Sequence, residues 1–415
     1  MPHAYSAADL LHFARMYWRH HRRQRSWGRR FEAALRDGSY RLSHPTVLQI
    51  LPTEACNLRC PMCNQWGDNG YFLAGARAPQ HMDAEALATL LRGVDPTASL
   101  VSVHGGEPFA YRHAGAMVDM LAEGGFDVMF STNGTLLGRH VDGLARLRNL
   151  SLLLSVDGDE PAHDRIRGPG TFRRIREAVE ALFEARRRAG APSPMLMITF
   201  VVCEWNGDAT ARMLEVARDL GAFALNCNLR WFLPPEAGRA YEAHLEEHFG
   251  LHSSGAWRGW VSDRPDHDYR PAANALADLL QRERFRLRPP YVFTTPSGLG
   301  RRALERYFTD YAEVFGNESC FMPFYWARVH SNGDLIYCPG HPDIVVGNVF
   351  RDGLGAAFNS DASVRFRRHI LGNRMPICNR CCGLYMTRHG RPQEQRVRRR
   401  LGLGRVEASF PPSVP

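Results

Sequence analysis

The chain has 415 residues and a net charge of +9, and its 44% hydrophobic and 23% charged residues are proportions typical of a folded protein. All 52 of its Lys and Arg positions are Arg, which excludes a lysine Schiff base to pyridoxal phosphate and a phosphate-binding loop lysine. Because no run of about 18 apolar residues and no apolar leader is present, we expect a cytoplasmic protein with ten reduced cysteines.

Residues 1–45 are predicted to form a basic helical extension. Five apolar residues recur there at helical spacing, namely Leu10, Leu11, Ala14, Tyr17 and Trp18, and a basic run follows at 19–23. The favoured interpretation is a helix that packs against the next domain. Peripheral contact of this helix with an anionic membrane surface is the alternative.

From residue 46 to 233, short apolar runs alternate with longer amphipathic stretches. The predicted strands are 46–51, 98–103, 126–131, 151–156, 195–202 and 222–230, and the predicted helices are 83–93, 113–124, 137–148, 171–189 and 208–220. Six such units predict an α/β fold, a partial (β/α)6 barrel of parallel strands. By analogy with complete barrels, the chemistry is expected at the C-terminal ends of the strands.

The remaining chain divides into three predicted parts. Residues 234–315 form a linker or a substrate-covering insertion with helices at 272–284 and 301–315. Cysteines resume in 316–385, which indicates a small second domain, and the Asn332-Gly333 pair predicts a β-hairpin within it. Residues 386–415 form an Arg-rich and then Pro-rich tail.

Three cysteines, Cys56, Cys60 and Cys63, occupy the loop after the first predicted strand. Three thiolates leave one iron of a cubane cluster open to another ligand, such as the amine and carboxylate of an amino acid. Zinc is the less favoured interpretation, because the loop contains no histidine as a fourth ligand.

This spacing resembles the radical S-adenosylmethionine superfamily, and further motifs at strand ends extend the resemblance. They are Gly105-Gly106-Glu107-Pro108, Asn133 within Ser-Thr-Asn-Gly, Ser155 and Asp157 within Ser-Val-Asp-Gly, and Arg167. The resemblance implies that Cys56, Cys60 and Cys63 hold a catalytic 4Fe-4S cluster and that these motifs bind S-adenosyl-L-methionine. Glu107 would face the methionyl amine and Arg167 the methionyl carboxylate, and Asn206 is a further candidate for the adenosine side.

A second group of cysteines lies near the C-terminus. Cys320, Cys338, Cys378 and Cys381, together with the Gly347-Asn348-Val349 stretch, resemble the auxiliary-cluster domains called SPASM and twitch. The resemblance implies one further 4Fe-4S cluster on these four thiols, with Cys382 as a spare, although exchange of Cys381 and Cys382 stays open. Zinc or unligated thiols are alternatives. Cys203 and Cys227 are predicted to be small buried residues of barrel strands.

The resemblance implies an oxidoreductase or modifying enzyme. It would cleave S-adenosylmethionine reductively, abstract a substrate hydrogen through a 5′-deoxyadenosyl radical, and take electrons from a donor such as flavodoxin or ferredoxin. A small-molecule substrate (a sugar, an aminocyclitol or a lipid-linked group) is favoured over a peptide, since no strand-rich peptide-recognition domain precedes the barrel. A metal-stabilised RNA-binding module is the alternative from another class, although the aromatic strands and zinc-finger spacing typical of such modules are missing.

Overall fold

The fold is built on one mostly parallel sheet. The computed structural model describes residues 5–74, 79–262, 264, 266–338 and 342–386. The strands are β1 (Val47–Ile50), β2 (Leu100–Val103), β3 (Asp127–Thr132), β4 (Asn149–Ser155), β5 (Met195–Val202), β6 (Ala224–Leu229), β7 (Tyr291–Thr295), β8 (Trp326–Val329), β9 (Asp334–Ile336) and β10 (Gly347–Asn348).

Helices surround this sheet and follow most of its strands. They are α1 (Ala7–Arg36), α2 (Tyr71–Ala74), α3 (Ala84–Arg92), α4 (Ala114–Glu123), α5 (Val141–Arg146), α6 (Glu160–Arg167), α7 (Thr171–Arg188), α8 (Met213–Asp219), α9 (Pro235–Phe249), α10 (Arg270–Arg282), α11 (Arg301–Thr309), α12 (Met322–Tyr325), α13 (Val349–Asp352), α14 (Leu354–Phe358), α15 (Asp361–Gly372) and α16 (Cys382–Met386). Short 3₁₀ helices lie at Pro108–Ala110, Leu137–His140, Gly207–Arg212, Ala256–Trp260 and Pro376–Cys378.

The strand order in the described part of the chain is β10-β9-β8-β1-β2-β3-β4-β5-β6-β7. Strands β1 to β7 are parallel neighbours in chain order, and β8 pairs in parallel with the other side of β1. The six predicted strands are found within two residues of their expected bounds. The predicted α/β fold, with a partial barrel of parallel strands, is therefore confirmed.

The sheet is larger than the six strands that the sequence predicted. Strand β7 lies inside 234–315, where we expected a linker or an insertion, and it extends the sheet at the β6 edge. Strand β8 lies inside the predicted second domain but continues the barrel sheet at β1. Pro289, Pro290 and Pro296 flank the β7 run and favour a loop there, and the β8 run lies between the cysteines that indicated a second domain.

The two faces of the sheet differ in polarity. In β4 and β5, alternate residues are buried, and these are apolar side chains such as Leu152 and Ile198 under the helices. The other alternate positions are partly exposed and include Ser155 and Thr199. Because successive side chains of a strand point to opposite faces, the partly exposed set lines the inside of the barrel. The interior is thus available for ligands.

Helix α1 packs against the C-terminal part of the chain. It starts with a capping box at Ser6, and the indole nitrogen of Trp27 donates to the carbonyl of Phe324 at 2.9 Å. The ring of Phe31 packs edge-on against Phe321 and Phe324. Packing of this helix on the fold is thus observed.

The apolar stripe that the sequence assigned to this packing faces solvent instead. Leu10, Leu11, Tyr17 and Trp18 are between 41% and 64% exposed, whereas Phe13, Trp27 and Phe31 make the buried contacts. No helix among the described residues is long and apolar enough to cross a membrane.

The predicted hairpin joins β8 and β9, which pair antiparallel. Gly333 adopts φ +84° in its loop, where its amide donates to the carbonyl of His330 at 2.9 Å. A positive φ suits glycine because it has no Cβ. Of the predicted tail 386–415, residues 387–415 lie outside the described residues.

Candidate active site

The loop that follows β1 is held as a compact thiol-bearing turn. The indole nitrogen of Trp66 donates to the carbonyl of Glu54 at 2.8 Å, and the guanidinium of Arg59 lies 4.2 Å above the Trp66 ring. Backbone amides of Leu58 and Trp66 donate to the sulfur atoms of Cys56 at 3.5 Å and Cys63 at 3.4 Å. Amide donors of this kind stabilise a thiolate and tune a bound cluster.

The glycine pair after β2 packs directly on this loop. Gly105 has φ +144°, and a Cβ there would lie 2.4 Å from the carbonyl oxygen of Thr53. A Cβ on Gly106 would lie 2.4 Å from the carbonyl oxygen of Ala55. The absence of side chains at these two positions lets the end of β2 approach the cysteine loop. Any side chain here would push the thiols out of position.

Glu107 holds two strand ends together. Its buried carboxylate accepts hydrogen bonds from the Thr132 hydroxyl and the Asn133 amide, each at 2.7 Å, and from the Phe109 amide at 3.1 Å. Burial raises the pKa of Glu107 above its usual value. Both oxygens are therefore already engaged with protein donors, so the carboxylate positions the ends of β2 and β3.

Arg167 and Asp157 form a buried ion pair at the end of β4, with Nε and Oδ2 2.5 Å apart. Burial opposes the charge of Arg167, but the nearby Asp157 carboxylate and Cys60 outweigh it and raise the pKa of the guanidinium. Asp157 Oδ1 has no hydrogen-bond partner among the described residues. Asn206 is fully buried, and its side chain bonds the backbone of Val201 and Cys203.

A cavity of about 330 Å³ opens where the strands end, and it joins most of the predicted residues. The predicted residues that line it are Cys56, Cys60, Cys63, Gly105, Gly106, Asn133, Ser155 and Arg167. Glu107 and Asp157 do not line the cavity but hold Asn133 and Arg167 through the contacts above, and Pro108 does not line it either. The assignment of individual residues to S-adenosylmethionine stays a prediction.

Arg230, Trp231 and Trp260 also line the cavity, and the sequence did not predict them. Arg230 is 5% exposed, pairs with the buried carboxylate of Glu204, and lies 5.0 Å from the Trp205 ring. Trp231 and Trp260 pack with their ring centres 4.5 Å apart and both line the cavity. These residues come from the end of β6 and from the 234–315 segment, and no motif marks them.

His104 is a further missed residue of the cavity. Its Nε2 atom is buried and has no hydrogen-bond partner among the described residues. Burial, with a smaller contribution from Arg328, lowers the pKa of His104 to about 3. The imidazole is therefore neutral at physiological pH and offers the cavity a polar atom without a charge.

Four C-terminal thiols line a second, small cavity. Cys320, Cys338, Cys378 and Cys381 line it together with apolar residues such as Met322. Cys382 does not line this cavity; it lines the larger one. Cys203 and Cys227 are fully buried in or beside barrel strands, as predicted.

Both thiol groups offer the thiolate ligands that an iron-sulfur cluster takes. Burial raises the pKa of Cys56 and of Cys320 to about 12, so each thiolate would need the positive charge of a bound metal. A cubane would take Cys56, Cys60 and Cys63 in the large cavity and the four thiols of the small one.

Two family models match the chain. The Radical SAM superfamily model matches residues 50–217, and the model of an iron-sulfur cluster-binding domain, SPASM, matches residues 320–382. These ranges contain both groups of thiols described above. Together they confirm S-adenosylmethionine and 4Fe-4S clusters, including an auxiliary one, as the cofactors.

Individual similar proteins match parts of the chain. An AdoMet-dependent heme synthase of Methanosarcina barkeri is 28% identical over 48% of this chain and 53% of its own length. The sporulation killing factor maturation protein SkfB of Bacillus subtilis is 24% identical over 43% of this chain and 41% of its own. The chain thus spans about half the length of these curated relatives, or less. The crystal structure of Streptococcus suis SuiB bound to precursor peptide SuiA shares the fold, with a TM-score of 0.56, 17% identity, and coverage of 84% and 72% of the two chains.

Proposed function

Since the chain belongs to the radical SAM superfamily and carries a SPASM iron-sulfur domain, we propose that it abstracts a hydrogen atom from a carbon of a peptide substrate. The cluster with bound S-adenosylmethionine would supply the 5′-deoxyadenosyl radical for this step. Two similar proteins support the substrate class. SkfB is named as a maturation protein for a killing factor, and SuiB is described with a bound precursor peptide.

The arrangement of the catalytic cavity carries the proposal. The three-cysteine loop, Arg167 and the Trp231 and Trp260 rings line one cavity of about 330 Å³, so bound S-adenosylmethionine and the reacting portion of a substrate would meet there. This arrangement supports hydrogen abstraction, and the similar maturation proteins support the peptide as the substrate class. The sequence alone favours a small-molecule substrate, whereas the similar proteins support the peptide alternative better.

The residues of the cavity have distinct tasks under this proposal. Cys56, Cys60 and Cys63 hold the catalytic cluster, and Arg167, fixed by Asp157, faces the methionyl carboxylate. The Trp231 and Trp260 rings cover the substrate side and exclude water from the radical. An electron donor of the flavodoxin or ferredoxin class would reduce the cluster.

Small-molecule modification is the second candidate, and one observation favours it. Arg230 presents a buried guanidinium to the cavity and would bind an anionic group of a small substrate. The similarity to an AdoMet-dependent heme synthase agrees with this class.

The test begins with the protein reconstituted anaerobically with iron and sulfide. We expect about eight irons per chain and 5′-deoxyadenosine formation in the presence of reductant. The Cys56/Cys60/Cys63→Ala triple variant should retain about four irons and form none. Absence of 5′-deoxyadenosine from the fully loaded wild type would overturn the enzymatic proposal.

The substrate class is then tested with two extracts, a tryptic peptide digest and a filtrate of small metabolites. We expect the digest to stimulate 5′-deoxyadenosine formation and to contain peptides whose mass or retention time changes with the wild type alone. Stimulation by the filtrate, with an unchanged digest, would favour the small-molecule candidate instead.

A further inference from the structure

Two adjacent cysteines face two different cavities. Cys381 lines the small cavity with Cys320, Cys338 and Cys378, whereas Cys382 lines the catalytic cavity with the three-cysteine loop. The amide of Cys381 donates to the Cys378 carbonyl at 3.0 Å, which closes a turn immediately before helix α16 begins at Cys382. We propose that Cys382 is a catalytic thiol that returns a hydrogen atom to the substrate radical. This inference rests on the proposed hydrogen abstraction.

The auxiliary cluster does not need Cys382. Four thiols already surround the small cavity, and a cubane has four irons to be ligated. The alternative ligand set, with Cys382 in place of Cys381, would leave Cys381 unused in a cavity that is lined mainly by apolar residues. The thiol of Cys382 is therefore free to meet a substrate.

The cavity that Cys382 lines also contains polar atoms without partners among the described residues. The Nε atom of Arg230 is buried and has no hydrogen-bond partner among the described residues, whereas its Nη1 atom contacts Glu204 and Ser262. The indole nitrogen of Trp260 is also buried without a partner there. A buried donor without a partner is destabilising, so a ligand that accepts these hydrogen bonds would be stabilised.

The two thiol-bearing segments reach the cavity from different elements. The three-cysteine loop follows β1, while α16, which begins with Cys382, packs against β7 at one edge of the sheet. Under this proposal, a substrate bound in the cavity loses hydrogen to the 5′-deoxyadenosyl radical and receives hydrogen from Cys382. Delivery to the other face of the reacting carbon would invert its configuration.

The chemistry balances with one external reductant. Abstraction breaks a substrate C–H bond and forms a C–H bond of 5′-deoxyadenosine. The substrate carbon radical then takes the hydrogen atom of the Cys382 S–H bond, which is weaker than a C–H bond, and leaves a thiyl radical. One electron from a low-potential one-electron donor and one proton from solvent restore the thiol. The substrate is neither oxidised nor reduced overall.

A thiol in this position would otherwise quench the carbon radical in an unproductive reaction. An enzyme that generates a carbon radical must exclude competing hydrogen donors from the cavity. An S–H group that lines the cavity is such a donor. Cys382 is therefore compatible with productive chemistry when its hydrogen atom is the one delivered.

The place of Cys382 is tested without a substrate. The anaerobically reconstituted full chain is compared with Cys382→Ser, Cys381→Ala and, as a control thiol on β6, Cys227→Ala. We expect the Cys382→Ser and Cys227→Ala proteins to retain all iron and the wild-type electron paramagnetic resonance signal of the auxiliary cluster. Cys381→Ala should lose about half the iron. Loss of iron or a changed signal in Cys382→Ser, with full iron in Cys381→Ala, would make Cys382 the ligand and overturn the proposal.

Hydrogen delivery is tested by turnover of S-adenosylmethionine alone in D₂O with dithionite as reductant. The Cys382 thiol exchanges to S–D, so we expect the wild type and Cys227→Ala to form monodeuterated 5′-deoxyadenosine. This species should be lost in Cys382→Ser, because an O–D bond is too strong to donate. Equal deuterium content in Cys382→Ser would refute the donor role. Absence of any 5′-deoxyadenosine from the wild type would instead refute the proposed function. The iron content of the Cys381→Ala and Cys382→Ser variants would still decide whether Cys382 is a cluster ligand.

Discussion

Replacing Arg23 by alanine should weaken the packing of helix α1 on the sheet and lower the free energy needed to open the helix. The Arg23 guanidinium bonds Asp127 at 2.6 Å and the carbonyls of Pro96 and Thr97 at 2.9 and 3.1 Å. Its side chain is 4% exposed and that of Asp127 is 6% exposed. Removing one member of a buried pair costs about 3–5 kcal/mol. Since Arg19 still contacts Asp127 at 3.1 Å, we expect the lower end, about 3 kcal/mol.

Hydrogen exchange followed by mass spectrometry measures this cost in the folded holoenzyme. About 3 kcal/mol of lost opening free energy corresponds to roughly 100-fold faster amide exchange in the peptides of α1. Arg22→Ala is the matched control, because Arg22 is exposed on the same helix and should change exchange by about twofold or less. Equal acceleration in both variants, or none in Arg23→Ala, would show that this buried pair does not anchor the helix.

Three further changes test the site and the stability of the fold. Glu107→Ala leaves three buried donors without an acceptor and should weaken S-adenosylmethionine binding by about tenfold or more in equilibrium dialysis, an effect absent from the exposed Glu85→Ala control. Cys338→Ala should lower the iron content from about eight to about four per chain while the catalytic cluster remains, and full iron content would contradict the assigned ligand set. Burial lowers the pKa of His244 and of His369 to about 4, so the unfolded chain binds protons below pH 6.5 that the folded pair does not. The free energy of urea unfolding should therefore be unaffected by the pair above pH 6.5 and should fall between pH 6.5 and pH 4. The fall should be less than about 1.4 kcal/mol per pH unit for each histidine, because both side chains are partly exposed. The same slope in a His244/His369→Gln double variant would contradict this prediction.

The motifs were predictable because they end parallel strands. Gly105 and Gly106 follow β2, Asn133 follows β3 and Ser155 ends β4, and the carboxyl ends of parallel neighbours meet at one edge of a sheet. Six runs of correct length then suffice to bring residues more than 100 positions apart into one cavity. The thiol loop needed no further information, since its three cysteines are close in the chain.

The part of the cavity lining formed by Arg230, Trp231 and Trp260 could not be predicted in the same way. Arg230 and Trp231 follow β6, while Trp260 comes from a 3₁₀ helix in a segment without periodicity. Their convergence depends on how the 234–315 segment folds back over the barrel, and one chain sequence contains no pattern for it. The different directions of Cys381 and Cys382 are likewise invisible in the sequence, because they depend on a single turn before α16.

The position of β8 links the two cluster sites mechanically. Strand β8 pairs with β1 over four residues in register, and the catalytic thiols follow β1 directly. Its hairpin partner β9 leads within two residues to Cys338. A continuous ladder of backbone hydrogen bonds therefore joins β1, β8 and β9, so the position of Cys338 relative to the catalytic cysteine loop is set by strand register rather than by a hinge between domains.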